Sequence, residues 1–166
     1  MGNGFGYKCS KCGKEYQGFL GIGLLFSTVY QEVVDSIREG KYGEEWKKLT
    51  DNKDSIAVDA AKHVYCCSKC NAWDFEFGLS LYQPLTDSAL QDVQRGFVII
   101  GADSGMPFLG PVKFSENYKL IKHYIHKCPK CNSRMHKASK REIDNLNCPY
   151  CGGERDKSCT RVIMWD

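Results

Sequence analysis

Eight of the ten cysteines in this chain stand in four Cys-x-x-Cys pairs: Cys9/Cys12, Cys67/Cys70, Cys128/Cys131 and Cys148/Cys151. Two thiolates on one tight turn can reach a single ion, and two such turns make the four-sulfur tetrahedral cage that Zn²⁺ prefers. The last two pairs lie in Lys127-Cys-Pro-Lys-Cys131 and Asn147-Cys-Pro-Tyr-Cys151-Gly-Gly153, with sixteen residues between Cys131 and Cys148. That is the C-x2-C-x(15–20)-C-x2-C spacing of zinc sites, and it assigns Cys128, Cys131, Cys148 and Cys151 to one ion. Cys67/Cys70 then becomes the mate of Cys9/Cys12 across fifty-four residues, because the entropy of closing a longer loop rises only slowly. Cys66 is an alternative to Cys67, disfavoured because Cys66 to Cys70 lacks the two-residue spacing. Cys159 has no partner at knuckle spacing, although it could compete with Cys151. Two ions with four cysteines each are expected: zinc, with iron as the alternative that four thiolates also hold.

The cysteine spacing does not resemble a secreted disulfide framework. The N-terminus has no charged segment leading into an apolar one, so a reducing, cytoplasmic setting is expected. The longest apolar run, residues 19–26, carries two glycines and falls well short of the roughly twenty residues of a membrane span. Charge is divided unevenly. Residues 1–112 hold eleven Lys/Arg against fourteen Asp/Glu, and residues 113–166 hold twelve against six. The excess gathers between Lys113 and Arg141, where the expected partner is anionic.

Nothing in the chain matches a catalytic signature. There is no H-E-x-x-H, no deaminase motif, no phosphate-binding loop and no nucleophile elbow. The glycines of residues 18–23 are not in G-x-G-x-x-G order. Four-cysteine cages also lack the open position of a catalytic zinc. His123 and His126 fall in a basic run rather than beside carboxylates. No catalytic residue is assigned, and the enzyme reading has no residues to stand on.

The elements that must position the knuckles are legible in part. Tyr7 and Tyr16 flank the first knuckle and pair across a short hairpin. Val29, Val33 and Ile37 give a helix ending near Arg38, with Gly40 beyond it. Gly43 to Leu49 is a second, shorter helix with Trp46 and Leu49 on one face. Residues 63–66 lead as a strand into Cys67. Trp73, Phe75, Phe77, Leu79 and Leu81 alternate with polar or small residues, which predicts one long strand whose aromatic row faces the core. Thr86 to Gln94 reads as a helix and Phe97 to Ile100 as a buried strand. Residues 101–111 read as a boundary or long loop. Strands are expected over 118–127, 132–137 and 159–165, with a polar connection over 138–147.

At Cys9-Ser-Lys-Cys12-Gly, Cys128-Pro-Lys-Cys131 and Cys148-Pro-Tyr-Cys151-Gly, the chain resembles the zinc-ribbon and rubredoxin-like knuckle superfamily. The resemblance covers the knuckles and their flanking strands. It implies an α+β fold of two zinc-ribbon-like four-cysteine modules with small antiparallel sheets. The first, residues 1–112, carries a helical insertion over 24–50; the second, residues 113–166, is a basic ribbon. Members of that superfamily bind nucleic acid, serve transcription and translation machinery, or act as structural modules, and rubredoxin-like sites transfer electrons. The expected function is a non-enzymatic zinc protein that binds nucleic acid through Lys119, Lys122, Lys127, Lys130, Arg134, Lys137, Lys140 and Arg141. Tyr118, Tyr124 or His126 would stack on bases. The rival is a structural or protein-interaction module, with electron transfer behind it. The partner is then nucleic acid or an acidic protein surface, with no membrane contact.

Overall fold

The computed structural model describes residues 2–23, 26–51, 55–98, 114–154 and 161–165. Ile99, Ile100, the connection over 101–111 and Cys159 lie outside the described residues. In chain order the elements are β1 (Gly2–Lys8), β2 (Glu15–Leu20), α1 (Phe26–Arg38), α2 (Glu44–Thr50), β3 (Ala57–Val58), β4 (Lys62–Cys66) and β5 (Trp73–Phe77). There follow β6 (Leu81–Pro84), α3 (Asp87–Gln94), α4 (Phe114–Asn117), β7 (Tyr118–Lys122), β8 (His136–Lys137), α5 (Lys140–Ile143) and β9 (Arg161–Trp165). They form three antiparallel sheets of three strands, ordered β2-β1-β9, β5-β4-β8 and β3-β6-β7.

The hairpin β1–β2 turns through the first knuckle, with Tyr7 opposite Tyr16 and their rings 5.1 Å apart. The hairpin β4–β5 turns through the second knuckle, with Cys66 opposite Trp73. The two hairpins face one another through an aromatic core. Phe5 lies 5.8 Å from Phe75, and Tyr16 lies 5.8 Å from Trp73, between ring centroids. Leu146 and Cys148 complete that core, and two backbone bonds between Gly21 and Lys62 tie the end of β2 to the start of β4. Aromatic rings in tilted contact of this kind bury a large area per residue, which fixes how the hairpins sit.

A second core lies under the helices. Tyr30, Val33, Val34 and Ile37 of α1 pack with Val58, Leu79, Leu81, Val93 and Val98, and Trp46 and Leu49 of α2 join at the edge. The four-residue recurrence along α1 is the stripe read from the sequence. The helix starts at Phe26, ahead of Ser27 and Thr28. Thr86 caps α3 by accepting from the Ala89 amide.

The long strand expected over 73–81 is two strands in two different sheets. The break falls at Gly78–Ser80, where Leu79 adopts φ 51° and is fully buried. Asp59 packs against this bend. This carboxylate, 2 % exposed, lies against Gly78 so closely that a Cβ there would be 1.8 Å from Oδ2. Asp59 Oδ2 accepts from Lys137 Nζ at 2.8 Å and pairs with His63 Nε2 at 3.2 Å, while Oδ1 accepts from the Ala61 amide at 3.2 Å. Alternation of side chains could not reveal a buried charge placed well upstream of the bend it packs against.

Candidate metal centres

All four knuckles are the same turn. The amide four residues after the first cysteine donates back to its carbonyl: Gly13 to Cys9, Asn71 to Cys67, Asn132 to Cys128 and Gly152 to Cys148. The first cysteine's own amide donates to the residue five positions on: Lys14, Ala72, Ser133 and Gly153. The pivot residue has positive φ every time, at 70° for Gly13, 55° for Asn71, 56° for Asn132 and 67° for Gly152. Glycine and asparagine are the residues that reach this region at least cost. The turn buries the first cysteine of each pair and leaves the second more exposed.

These turns meet in two groups: Cys9, Cys12, Cys148 and Cys151 in one, and Cys67, Cys70, Cys128 and Cys131 in the other, with each group's sulfurs within 4.8 Å of one another. The pairing is therefore nested, first knuckle with fourth and second with third. It corrects the expectation that adjacent knuckles share an ion. The reason lies between the third and fourth knuckles. Directly after the third knuckle, β8 docks on β4, with His136 opposite Cys66 and Lys137 opposite Tyr65. That holds Cys128/Cys131 beside Cys67/Cys70. Ser139 and Glu142 then form a capping box that starts α5 and redirects the chain. The Trp73 indole donates to the Asn147 carbonyl at 2.8 Å and sets the fourth knuckle against the first. The sixteen-residue spacer is a bridge between two centres, a length that also suits a loop closing one.

The cages have the right dimensions for an ion. Sγ–Sγ distances are 3.6 Å for Cys9–Cys151, 3.7 Å for Cys12–Cys148, and 3.5 Å for both Cys67–Cys131 and Cys70–Cys128. A tetrahedron of sulfurs about 2.3 Å from a central ion has edges of about 3.8 Å, whereas a disulfide needs about 2.05 Å. The cysteines are free thiols. Neighbouring amides favour thiolate: that of Cys12 leads in lowering Cys9 to about 7, and the Ser133 hydroxyl and amide lower Cys131 to about 6. The Lys14 amide acts likewise on Cys12 and that of Ala72 on Cys70, but burial and three neighbouring sulfurs push both thiols up to about 12. Four thiolates this close repel one another, so all four cannot ionise at neutral pH without a counter-charge. A cation at the centre removes that conflict. Both groups can hold a metal ion.

Cys66 stands outside both groups, half-buried on the aromatic core, and its thiol is pushed up to about 11, chiefly by burial. Of the eight basic residues singled out by sequence, Lys122 pairs with Glu45 at 2.6 Å and Lys137 with the buried Asp59. Lys119, Lys127, Lys130, Arg134, Lys140 and Arg141 are exposed and make no ion pair among the described residues. Lys127 and Arg134 face each other across the third knuckle. Lys130 stands at the tip of that knuckle, and Lys69 at the tip of the second knuckle of the same centre.

Two expectations about aromatic and histidine side chains are corrected. Tyr118 and His126 are buried, at 7 % and 8 % exposure, and Tyr124 packs edge-on against Trp46, so none presents an open face to a base. His126 does meet a carboxylate, Asp74, at 3.3 Å, as His63 meets Asp59 and His136 meets Glu142 at 2.8 Å. Folding brings Asp74 to His126 across fifty-two positions, whereas Asp59 and Glu142 lie four and six residues from their histidines. Burial of His126 against the Tyr65 ring follows from the same packing. No described helix is long and apolar enough to cross a membrane. In comparisons with known proteins, no family model, no curated sequence and no solved structure matches this chain.

Proposed function

We propose that the protein is a non-enzymatic zinc protein that binds nucleic acid through the basic surface around the second metal centre. Cys9, Cys12, Cys148 and Cys151 hold one ion and Cys67, Cys70, Cys128 and Cys131 the other. Zinc is preferred to iron because lysines crowd the knuckles and no second redox group accompanies the sulfurs. Bound zinc supplies cross-links and thiolate neutralisation, of the order of 10–16 kcal/mol per site in small peptides. The chain's own residues supply the surface.

One observation carries the reading. Lys69, Lys127, Lys130 and Arg134 all belong to the two knuckles of one centre, all are exposed, and none has an acidic partner among the described residues. Against the net −2 of a zinc ion on four thiolates, these four cations on two rigid turns leave an excess of positive charge, which suits phosphates, whose condensed counterions are released on binding. The test is filter binding of the zinc-loaded protein to DNA and RNA oligonucleotides between low and physiological salt. Four phosphate contacts to a single strand predict a slope of about −3 in log K against log salt. Binding that is absent, or flat in salt, refutes the reading.

A protein-interaction module is the second reading, and one observation favours it. Leu120 and Ile121 of β7 and the nearby Ile125 are all more than two-fifths exposed. A pull-down that survives nuclease treatment and is lost in Leu120→Ser/Ile121→Ser would support it. A coloured protein containing iron would instead favour electron transfer.

A further inference from the structure

We propose that the tip of the first metal centre is a stacking platform for a base of single-stranded nucleic acid, formed by Tyr150 with Lys14 and Lys11 beside it. The inference rests on the nucleic-acid reading above and extends it to the other centre. Its starting point is the fourfold repetition of the knuckle. The residue before the second cysteine is the tip of the turn, and it is exposed in all four. Three of the tips are lysine (Lys11, Lys69, Lys130), and the fourth is Tyr150. The turn itself therefore requires no ring at that position.

Packing does not account for the ring either. Tyr150 is 59 % exposed, more than any other large apolar side chain described, including Leu85 and Phe97. An aromatic held in water on a rigid turn has little backbone freedom left to lose on binding, which favours stacking. Its surroundings are cationic. Lys14 Nζ sits 4.6 Å from the ring centroid. The Lys11 side chain lies along Gly153, just beyond the ring in sequence, so closely that a Cβ there would be 3.0 Å from Lys11 Cβ. A base on the ring would bring its flanking phosphates within reach of these ammonium groups. Both lysines belong to the first knuckle and the ring to the fourth, so the nested pairing is what assembles the platform.

The competing role is structural, with Lys14 and Tyr150 clamping two knuckles together. Fluorescence anisotropy with labelled oligothymidylate and oligouridylate of about fifteen nucleotides, and with an abasic strand of equal length, separates the two. Tyr150→Ala should weaken binding to both base-bearing strands about ten-fold and leave abasic binding, zinc content and melting temperature unchanged. Tyr150→Phe should bind within about two-fold of wild type, since the π-face is retained. Tyr150→Lys, which places at the fourth tip the residue carried by the other three, should fold, bind the abasic strand more tightly and lose the preference for bases. Equal affinity of wild type and Tyr150→Ala overturns the platform and leaves the nucleic-acid reading standing. Loss of zinc or melting temperature in Tyr150→Ala that matches its loss of binding assigns the ring to the clamp and also overturns the platform. If wild type binds none of the strands, both readings fail.

Discussion

Lys137→Met removes the cation that faces a buried carboxylate and should loosen the strand that delivers the third knuckle. Asp59 is almost wholly buried, and Lys137 reaches it from β8 at 2.8 Å. Breaking a buried pair from one side costs about 3–5 kcal/mol. Two features reduce that figure here. The Lys137 side chain is 38 % exposed, so water screens part of the interaction, and His63 remains at 3.2 Å. We expect a loss of about 2 kcal/mol, read as a fall of about 1 M in the urea midpoint of the zinc-loaded protein at neutral pH. The pH dependence has a definite sign. Burial, the largest influence, pushes the Asp59 pKa up, but His63 and Lys137 together hold it below the ordinary range. A depressed folded-state pKa adds stability above the unfolded value of about 3.9, and that stability is lost as pH falls through the folded value. In Lys137→Met burial is less opposed and the pKa moves upward. The deficit of the variant should therefore be greatest at neutral pH and narrow on acidification, as Asp59 takes up a proton. Asp59→Asn/Lys137→Met, which removes both charges, should recover more than half of the loss. A single variant within about 0.5 kcal/mol of wild type, or a deficit that widens on acidification, would refute the reasoning.

Gly78→Ala should be more damaging than most alanine substitutions, by about 2–3 kcal/mol in urea unfolding, because its Cβ has no room beside Asp59 Oδ2. Gly13→Ala meets nothing within 4 Å, so its cost is the positive φ alone, about 1 kcal/mol by the same measurement. Trp73→Phe loses the hydrogen bond to the Asn147 carbonyl, worth about 1 kcal/mol. It should speed the transfer of one metal ion per chain to a chromogenic chelator and leave the second at the wild-type rate. Chelation of both ions should abolish the cooperative unfolding transition in circular dichroism, since metal binding and folding are coupled in sites of this kind.

Local chemistry was the legible part of this chain. Each knuckle is written in five consecutive residues, with cysteines for the ion and Gly13, Asn71, Asn132 or Gly152 for the left-handed pivot. The apolar stripe of α1 and the Thr86 cap of α3 are likewise local. What the sequence could not express was which knuckles meet. Adjacent and nested pairings use the same cysteines, and the choice falls to contacts made at a distance: β8 on β4, Trp73 on Asn147, and β9 beside β1. Asp59 shows the same limit. His63 is four residues away, but only folding supplies Lys137 to hold its buried charge and Gly78 to make room for it. The contrast between Tyr150 and the lysines at the other three tips carries weight only once the four turns are known to be equivalent.

The nested pairing of the knuckles is tested most directly by ¹¹³Cd substitution with proton–cadmium correlation, which links each ion to the β-protons of the cysteines that bind it. The structure predicts two cadmium resonances, one coupled to Cys9, Cys12, Cys148 and Cys151 and the other to Cys67, Cys70, Cys128 and Cys131. Coupling of Cys128 and Cys148 to the same ion, or fewer than four cysteines on either ion, would contradict it.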